Sequence, residues 1–417
     1  MERKIGEQYF LIKKIDIYNM IVHCKENVPY YKLKWNFTIP KLEDFTYEWF
    51  KRTIPLLEKN DVRDDGKRFI SSTVDAKDLI VETTSGSEGK PMKCYKSQNE
   101  KLRCAMDLWE YRKKLIPDLS PKDKFVHFYV TRRQKGDFLT LPIIYEKNIL
   151  HLSLFDLSLK TLFDYWDEIL KFKPRWMHGV TSTLYSLACV IKEYNLPRYS
   201  FDLVELTGEF LDEDKKKLME DVFGCIIANQ YGAREFWTIA YGCDNSKLHV
   251  NENSVFLEEV FNKQTRETEI VVTSLKNNSW PLIRYKLGDL GGIKENCCNC
   301  KILSPYILEL KEGRASEVCK FGDVTLSRTF FSHIIRRLNE EEETECIKQY
   351  QIVKVSSKKL EIRLVGLKEK SEKIKEIFRC ELEKFITDIQ LKINFVDCIV
   401  PDNNSGKVKE FIDLGEE

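Results

Sequence analysis

The chain has 417 residues, of which 42% are hydrophobic and 32% charged, enough apolar material for one large core and a smaller second domain. Its 67 Lys and Arg balance 66 Asp and Glu, for a formal net charge of +1. That balance excludes a global attraction to nucleic acid or an anionic membrane, so any anion site must be local.

The opening MERKIGEQYFLIKKIDIYN scatters charges through its apolar residues, and the longest apolar stretch, near Leu184 to Ile191, is too short to span a bilayer. Neither an export signal nor a spanning helix is predicted. The expectation is a cytoplasmic protein whose 13 cysteines are reduced thiols or metal ligands. Residues 1 to about 30 read as helix, and NVPYYKLKW and IPLLEKNDVRDDG as an extended lead-in with a polar turn. KDLIVETTSGSEG is a short apolar run feeding a glycine turn, and FVHFYV and NILHLSLF read as buried strands. SLKTLFDYWDEILKF is an amphipathic helix whose stripe Leu162, Tyr165, Trp166 and Ile169 belongs to the core. The alternation continues through FDLVEL, the turn TGE, the helix DEDKKKLMEDVF capped by Asp212, and the strand CIIANQ. LHVNENSVFLEEVFN and ETEIVVTSL alternate as in a small barrel or meander. After GRASE (313–317), QYQIVKVSSKKLEIRLVG reads as a hairpin, SEKIKEIFRCELEKFI as a helix and QLKINFVDCIV as a strand; NEEEETE reads as a solvated acidic segment. The predicted fold class is α/β: a large domain, 1–314, of layered α/β subdomains plus a small β-barrel-like part, then a small α+β domain, 315–417.

Four stretches carry chemistry. In TTSGSEGKP (83–91), Gly86 and Gly89 let backbone N–H groups close on an oxyanion, while Thr84, Ser85, Ser87 and Lys90 add donors. A P-loop of the kinase or ATPase type is excluded, because Pro91 follows Lys90 where Ser or Thr should hold magnesium. An ordinary polar turn is the alternative. In NQYGAREFW, Tyr231 and Gly232 leave a buried strand; Tyr231 can stack on a base and Glu235 can hold a divalent cation. WPLIRYKLGDLG places Asp289 on a glycine-flanked turn, where a carboxylate accepts from both hydroxyls of a ribose, with Arg314 as a second contact. DNNSGKVKEF puts Lys407 in a polar turn, where a lysine alone reads as solvated.

In this order, from residue 79 to residue 409, these stretches resemble the core motifs of the adenylate-forming superfamily, the acyl-CoA synthetases and their relatives. The serine-glycine loop is similar to the superfamily's phosphate loop, Thr207-Gly208-Glu209 to its adenine-side turn, YGAREFW to its Tyr-Gly-x-x-Glu element and RYKLGD to its ribose-binding segment. GRASE resembles the hinge, and Lys407 the mobile catalytic lysine. VPYYKLKW with IPLLEKNDVR resembles the arm of the phenylacetate-CoA ligase family, and the texture of the last module its subgroup linked to capsular polysaccharide biosynthesis. Two departures stand out: Glu88 replaces the usual Thr, and Ser316 with Glu317 keeps one acid of the hinge pair.

The resemblance implies ATP-dependent activation of a carboxylic acid to an acyl-adenylate, with magnesium on Glu235, release of pyrophosphate, and transfer to coenzyme A after a mobile small domain turns. Two alternatives stand beside it: transfer to an amine acceptor in surface polysaccharide biosynthesis, and a non-catalytic nucleotide-binding scaffold, which Glu88 and the altered hinge favour. His178 and Gly179 in WMHGVTSTLYS are similar to the loop edging the family's carboxylate pocket, and His127 in VHFYV is a further candidate for it; satisfied core histidines are the alternative. Finally, Cys243, His249, Cys298 and Cys300 form two soft pairs that can close a tetrahedral zinc site of structural type, with Cys297 competing for a place. Some phenylacetate-CoA ligase relatives show a similar arrangement; unliganded buried thiols are the other reading.

Overall fold

The structure, a computed structural model, describes residues 2–83, 92–128, 143–153, 158–209, 211, 213–262, 267–311, 318–321, 324–327, 330–331, 334–335, 337–338, 347–356, 358–366, 371–386, 389–396, 399 and 411–414. The N-terminal arm is helical: α1 (Glu2–Asn27), α2 (Pro29–Lys34), α3 (Tyr47–Thr53) and α4 (Lys59–Asp65). This corrects the expected extended lead-in with a polar turn: NVPYYKLKW carries α2, and the polar half of IPLLEKNDVRDDG is α4. Pro29 sits in the first turn of α2, where its missing N–H costs nothing, and a capping box between Glu58 and Asp61 opens α4.

Strands β1 (Ile80–Thr83) and β2 (Lys93–Lys96) flank residues 84–91, and a Ser97/Glu100 capping box starts α5 (Gln98–Leu115). Next come β3 (Phe125–Phe128), β4 (Ile143–Glu146), β5 (Ile149–Leu152), α6 (Leu159–Phe172), β6 (Trp176–Val180), α7 (Thr181–Glu193), β7 (Leu203–Thr207) and α8 (Glu213–Phe223). Seven strands follow: β8 (Ile226–Ala233), β9 (Trp237–Gly242), β10 (Leu248–Val250), β11 (Val255–Asn262), β12 (Glu267–Ser274), β13 (Tyr285–Glu295) and β14 (Tyr306–Leu310). The last labelled elements are β15 (Val318–Phe321), β16 (Val324–Ser327), β17 (Ile347–Ser356), β18 (Lys359–Gly366), α9 (Ser371–Glu383), β19 (Gln390–Phe395) and β20 (Phe411–Asp413).

Contacts group the chain into two compact units, Met1–Glu82 with Met92–Leu119 and Ala228–Arg314, and Thr83–Pro91 with Ser120–Ile227 and Ala315–Glu417. In the first unit the strands lie in the order β11-β12-β13-β14-β10-β9-β8, all antiparallel, so the β part takes a meander-like form. Helix α1 buries Tyr9, Phe10, Ile17, Ile21 and Cys24, which recur on one helical stripe. The Tyr9 hydroxyl donates to the Val255 carbonyl at 3.0 Å, and the Phe10 ring meets Phe45, Phe50 and Phe256. Buried Arg284 donates to Glu258 at 2.9 Å and to the carbonyls of Lys51 and Ile54, which ties the end of α3 to the start of β13.

In the second unit β7-β6-β3-β5 run parallel, with β4 antiparallel at the edge. The stripe Leu162, Tyr165, Trp166 and Ile169 of α6 is buried against Val126, Phe128 and Leu150 in one core cluster. A separate cluster joins Ile374, Phe378 and Leu382 of α9 to the sheet β19-β18-β17-β20, whose central pair is the expected hairpin. Among the described residues no helix is long and apolar enough to cross a membrane.

Candidate functional site

The hairpin β8–β9 is built around a forced glycine. A Cβ on Gly232 would lie 1.8 Å from the Trp237 carbonyl oxygen, so no other residue fits there without moving the partner strand. The turn closes through the Phe236 amide on the Ala233 carbonyl at 3.0 Å, with Glu235 inside it. Glu235 is 4% exposed, and its Oε1 accepts from the Tyr285 hydroxyl at 3.1 Å. Burial, and then the neighbouring Glu235 charge, push the Tyr285 phenol well above its usual range, which keeps it a donor. Two further side chains hold the turn. Lys96 Nζ donates to the carbonyls of Arg234 (2.6 Å) and Glu235 (3.3 Å), and Trp237 Nε1 donates to Glu82 at 3.0 Å. Glu82 lies on β1 and Lys96 on β2, the strands on either side of residues 84–91.

Asp289 is joined to the same hairpin: its Oδ2 accepts from the Tyr231 hydroxyl at 2.7 Å. The sequence places Asp289 on a turn, whereas it lies inside β13, and the reason is a bulge. Lys286 pairs with Val271 and Leu290 with Glu269, so Leu287, Gly288 and Asp289 oppose Ile270 alone. Gly288 takes φ 87°, which only glycine adopts readily, and the bulge re-aims the carboxylate. The glycine flank was the legible part of this signal. The partner strand was not.

Within the second unit, Gly208 follows β7 with φ 81°, and Glu209 is half-buried beside it. The register of β5, β3, β6 and β7 sets His151, His127, His178 and Glu205 in one row. The His127 ring lies 5.1 Å from that of His178 and 5.8 Å from that of His151. His178 Nδ1 is 2.8 Å from Oε1 of Glu205, which is fully buried. The carboxylate holds Nδ1 as the donor, so a neutral His178 carries its acceptor at Nε2. A Cβ on Gly179 would meet the Phe128 Cβ at 2.9 Å, so this glycine also serves strand packing. Glu205 went unnoticed in the sequence, although an acid inside the apolar run FDLVEL is itself a sign of a buried partner.

The ligand atoms of Cys243, His249, Cys298 and Cys300 all lie within 4.8 Å of one another. Cys243 Sγ is 3.7 Å from Cys298 Sγ, and Cys300 Sγ is 3.2 Å from His249 Nε2. A tetrahedral zinc ion with ordinary bond lengths needs ligand separations of about 3.8 Å for two sulfurs and about 3.5 Å for sulfur and nitrogen. The donor set fits the ion. Cys297 is exposed and outside the cluster. Burial pushes the Cys243 thiol up to about 12, so this thiol keeps its proton until a cation displaces it. Thr84, Ser85, Gly86, Ser87, Gly89, Lys90, Arg314, Lys407 and the cap Asp212 lie outside the described residues.

No family model matches the chain. It is similar to the indoleacetate–lysine synthetase of Pseudomonas savastanoi, 24% identical over 254 residues that cover 59% of this chain and 61% of that protein. It is also similar to Protein CapK of Staphylococcus aureus, 26% identical over 250 residues that cover 57% of this chain and 52% of that one. The chain thus spans less than two thirds of the length of these curated relatives. Among solved structures, 2-hydroxyisobutyryl-CoA ligase with 2-HIB-AMP and CoA, in its thioesterification state, aligns with a TM-score of 0.58 and 16% identity over 100% of this chain and 91% of that one. Its open conformation aligns at 0.57 and 14% identity, over 99% and 92%. The chain therefore has the fold of the adenylate-forming acyl-CoA ligases.

Proposed function

We propose that the chain activates a carboxylic acid with ATP, releasing pyrophosphate and forming an acyl-adenylate that is passed to coenzyme A. The observation that carries this reading is the linked pair Tyr231–Asp289 beside the Glu235 turn, on the sheet of an acyl-CoA ligase fold. Tyr231, its hydroxyl anchored on Asp289, offers a ring face to adenine. Asp289 accepts from the ribose.

The substrate carboxylate attacks the α-phosphorus in line; the new P–O bond forms as the bond to pyrophosphate breaks. Thr84, Ser85, Ser87 and Lys90, with backbone N–H groups freed by Gly86 and Gly89, offset charge on the phosphates. Glu235 would hold magnesium, which supplies charge neutralisation between the phosphates; one protein carboxylate plus phosphate oxygens is an ordinary magnesium environment. Lys407, carried by a mobile domain of residues 315–417, bonds the carboxylate and bridging oxygens, and Arg314 contacts the ribose at the hinge. His178, Gly179 and His127 border the acid pocket. Cys243, His249, Cys298 and Cys300 hold a structural zinc ion beside the nucleotide site.

The likeness to an indoleacetate–lysine synthetase favours a second reading, in which an amine takes the acyl group and forms an amide. A role in surface polysaccharide biosynthesis rests on the resemblance of the last module to the subgroup linked to capsular polysaccharide biosynthesis. A screen of carboxylic acids for exchange of labelled pyrophosphate into ATP tests the activation step. Adding coenzyme A or amines to the active acid then separates a thioester from an amide product.

A further inference from the structure

We propose that Lys96 is a positioning residue for Glu235: its buried ammonium fixes the turn that presents this carboxylate to the magnesium nucleotide. The proposal rests on the ligase reading above for the identity of the ligand, and on geometry for the clamp itself.

Lys96 is 3% exposed, and its contacts are hydrogen bonds to the Arg234 and Glu235 carbonyls. Among the described residues it has no carboxylate within ion-pair distance. Glu82, whose carboxylate is held below its usual range against the effect of burial by the Trp237 hydrogen bond and the Lys96 charge, offsets part of the cost of burying the ammonium, yet neither hydrogen bond of Lys96 goes to it. What the ammonium does supply is direction. It reaches two successive carbonyls of a turn far away in sequence and holds the backbone that carries Glu235. From the other side Tyr285 holds the Glu235 carboxylate, and Glu82 takes the indole N–H of Trp237, the residue after the turn. Backbone, side chain and flank of Glu235 are each held by a separate strand.

The test uses the full chain with Lys96→Met, Lys96→Arg and Glu235→Gln. Amide hydrogen exchange is read at residues 232–237, and magnesium-dependent ATP binding by calorimetry at several magnesium concentrations. In K96M the turn amides exchange faster, and half-saturating magnesium rises by about tenfold, the usual scale for losing an outer partner of a metal ligand. K96R restores most of both, and K96M adds nothing to the magnesium requirement of E235Q. Should K96M not fold, Lys96→Gln, which keeps a donor without charge, is read in the same two ways. Unchanged turn exchange overturns the clamp. Faster exchange with an unchanged magnesium requirement overturns the positioning role and leaves Lys96 structural. If the wild-type chain binds ATP without magnesium dependence, the assignment of Glu235 fails and the proposal with it. By contrast, absence of pyrophosphate exchange with every acid, while the magnesium and turn readouts behave as expected, fails the ligase reading and leaves the clamp standing.

Discussion

Gly232 shows how much one residue can decide. With a carbonyl 1.8 Å from where its Cβ would be, Gly232→Ala must push β8 from β9, and a loss on the order of 2–4 kcal/mol in urea unfolding is expected. In the sequence YGAREFW reads as a strand end and a glycine turn that gains weight by resembling a Tyr-Gly-x-x-Glu element, and the return strand β9 is not legible. Asp289 was legible as an acid among glycines, but its hydrogen bond to Tyr231 spans two strands and could not be read from either. Replacing Tyr231 by Phe removes that bond while keeping the ring. ATP affinity is then expected to fall by roughly fivefold, the worth of about 1 kcal/mol, and Asp289→Ala by more; calorimetry reads both. Lys96 was invisible in the sequence, since its acceptors lie 138 and 139 residues away.

Periodic elements read well and short ones did not. Helix α6 announced its buried stripe, and Trp166, with 1% exposure, should cost about 3–5 kcal/mol when replaced by Ala. Helices α2 and α4 run against the expected extended lead-in with a polar turn: Tyr30 and Tyr31 favour strand in the one, and Asn60, Asp61, Asp64 and Asp65 favour a turn in the other. Their signals were the Pro29 start and the Glu58/Asp61 box. The cysteine cluster was legible as donor types and spacing, while the choice between Cys297 and Cys298 required the strand pairing of β10 with β14 and the turn of residues 296–304. The purified chain is expected to carry about one zinc ion. Cys298→Ser should abolish it and lower the unfolding temperature, and Cys297→Ser should leave both unchanged; elemental analysis and calorimetric scans decide.

At the scale of the molecule, the order of the motifs along the chain was the readable part, and it led to the fold that the comparison with an acyl-CoA ligase bears out. Of the histidine row, His127 and His178 were readable as candidates, but His151 and Glu205 were not. The row of His151, His127, His178 and Glu205 exists only through the strand order β5-β3-β6-β7, which no local pattern encodes. The central claim joins distant segments around one nucleotide, and Lys407 is its most exacting member. It is tested most directly by exchange of labelled pyrophosphate into ATP, run with a library of carboxylic acids on the intact chain and on Lys407→Ala. The account predicts acid-dependent exchange that falls by about 100-fold or more in the variant, on the scale of losing a preorganised donor, with ATP still bound. Exchange that survives the loss of Lys407, or that is absent from the intact chain for every acid, would contradict it.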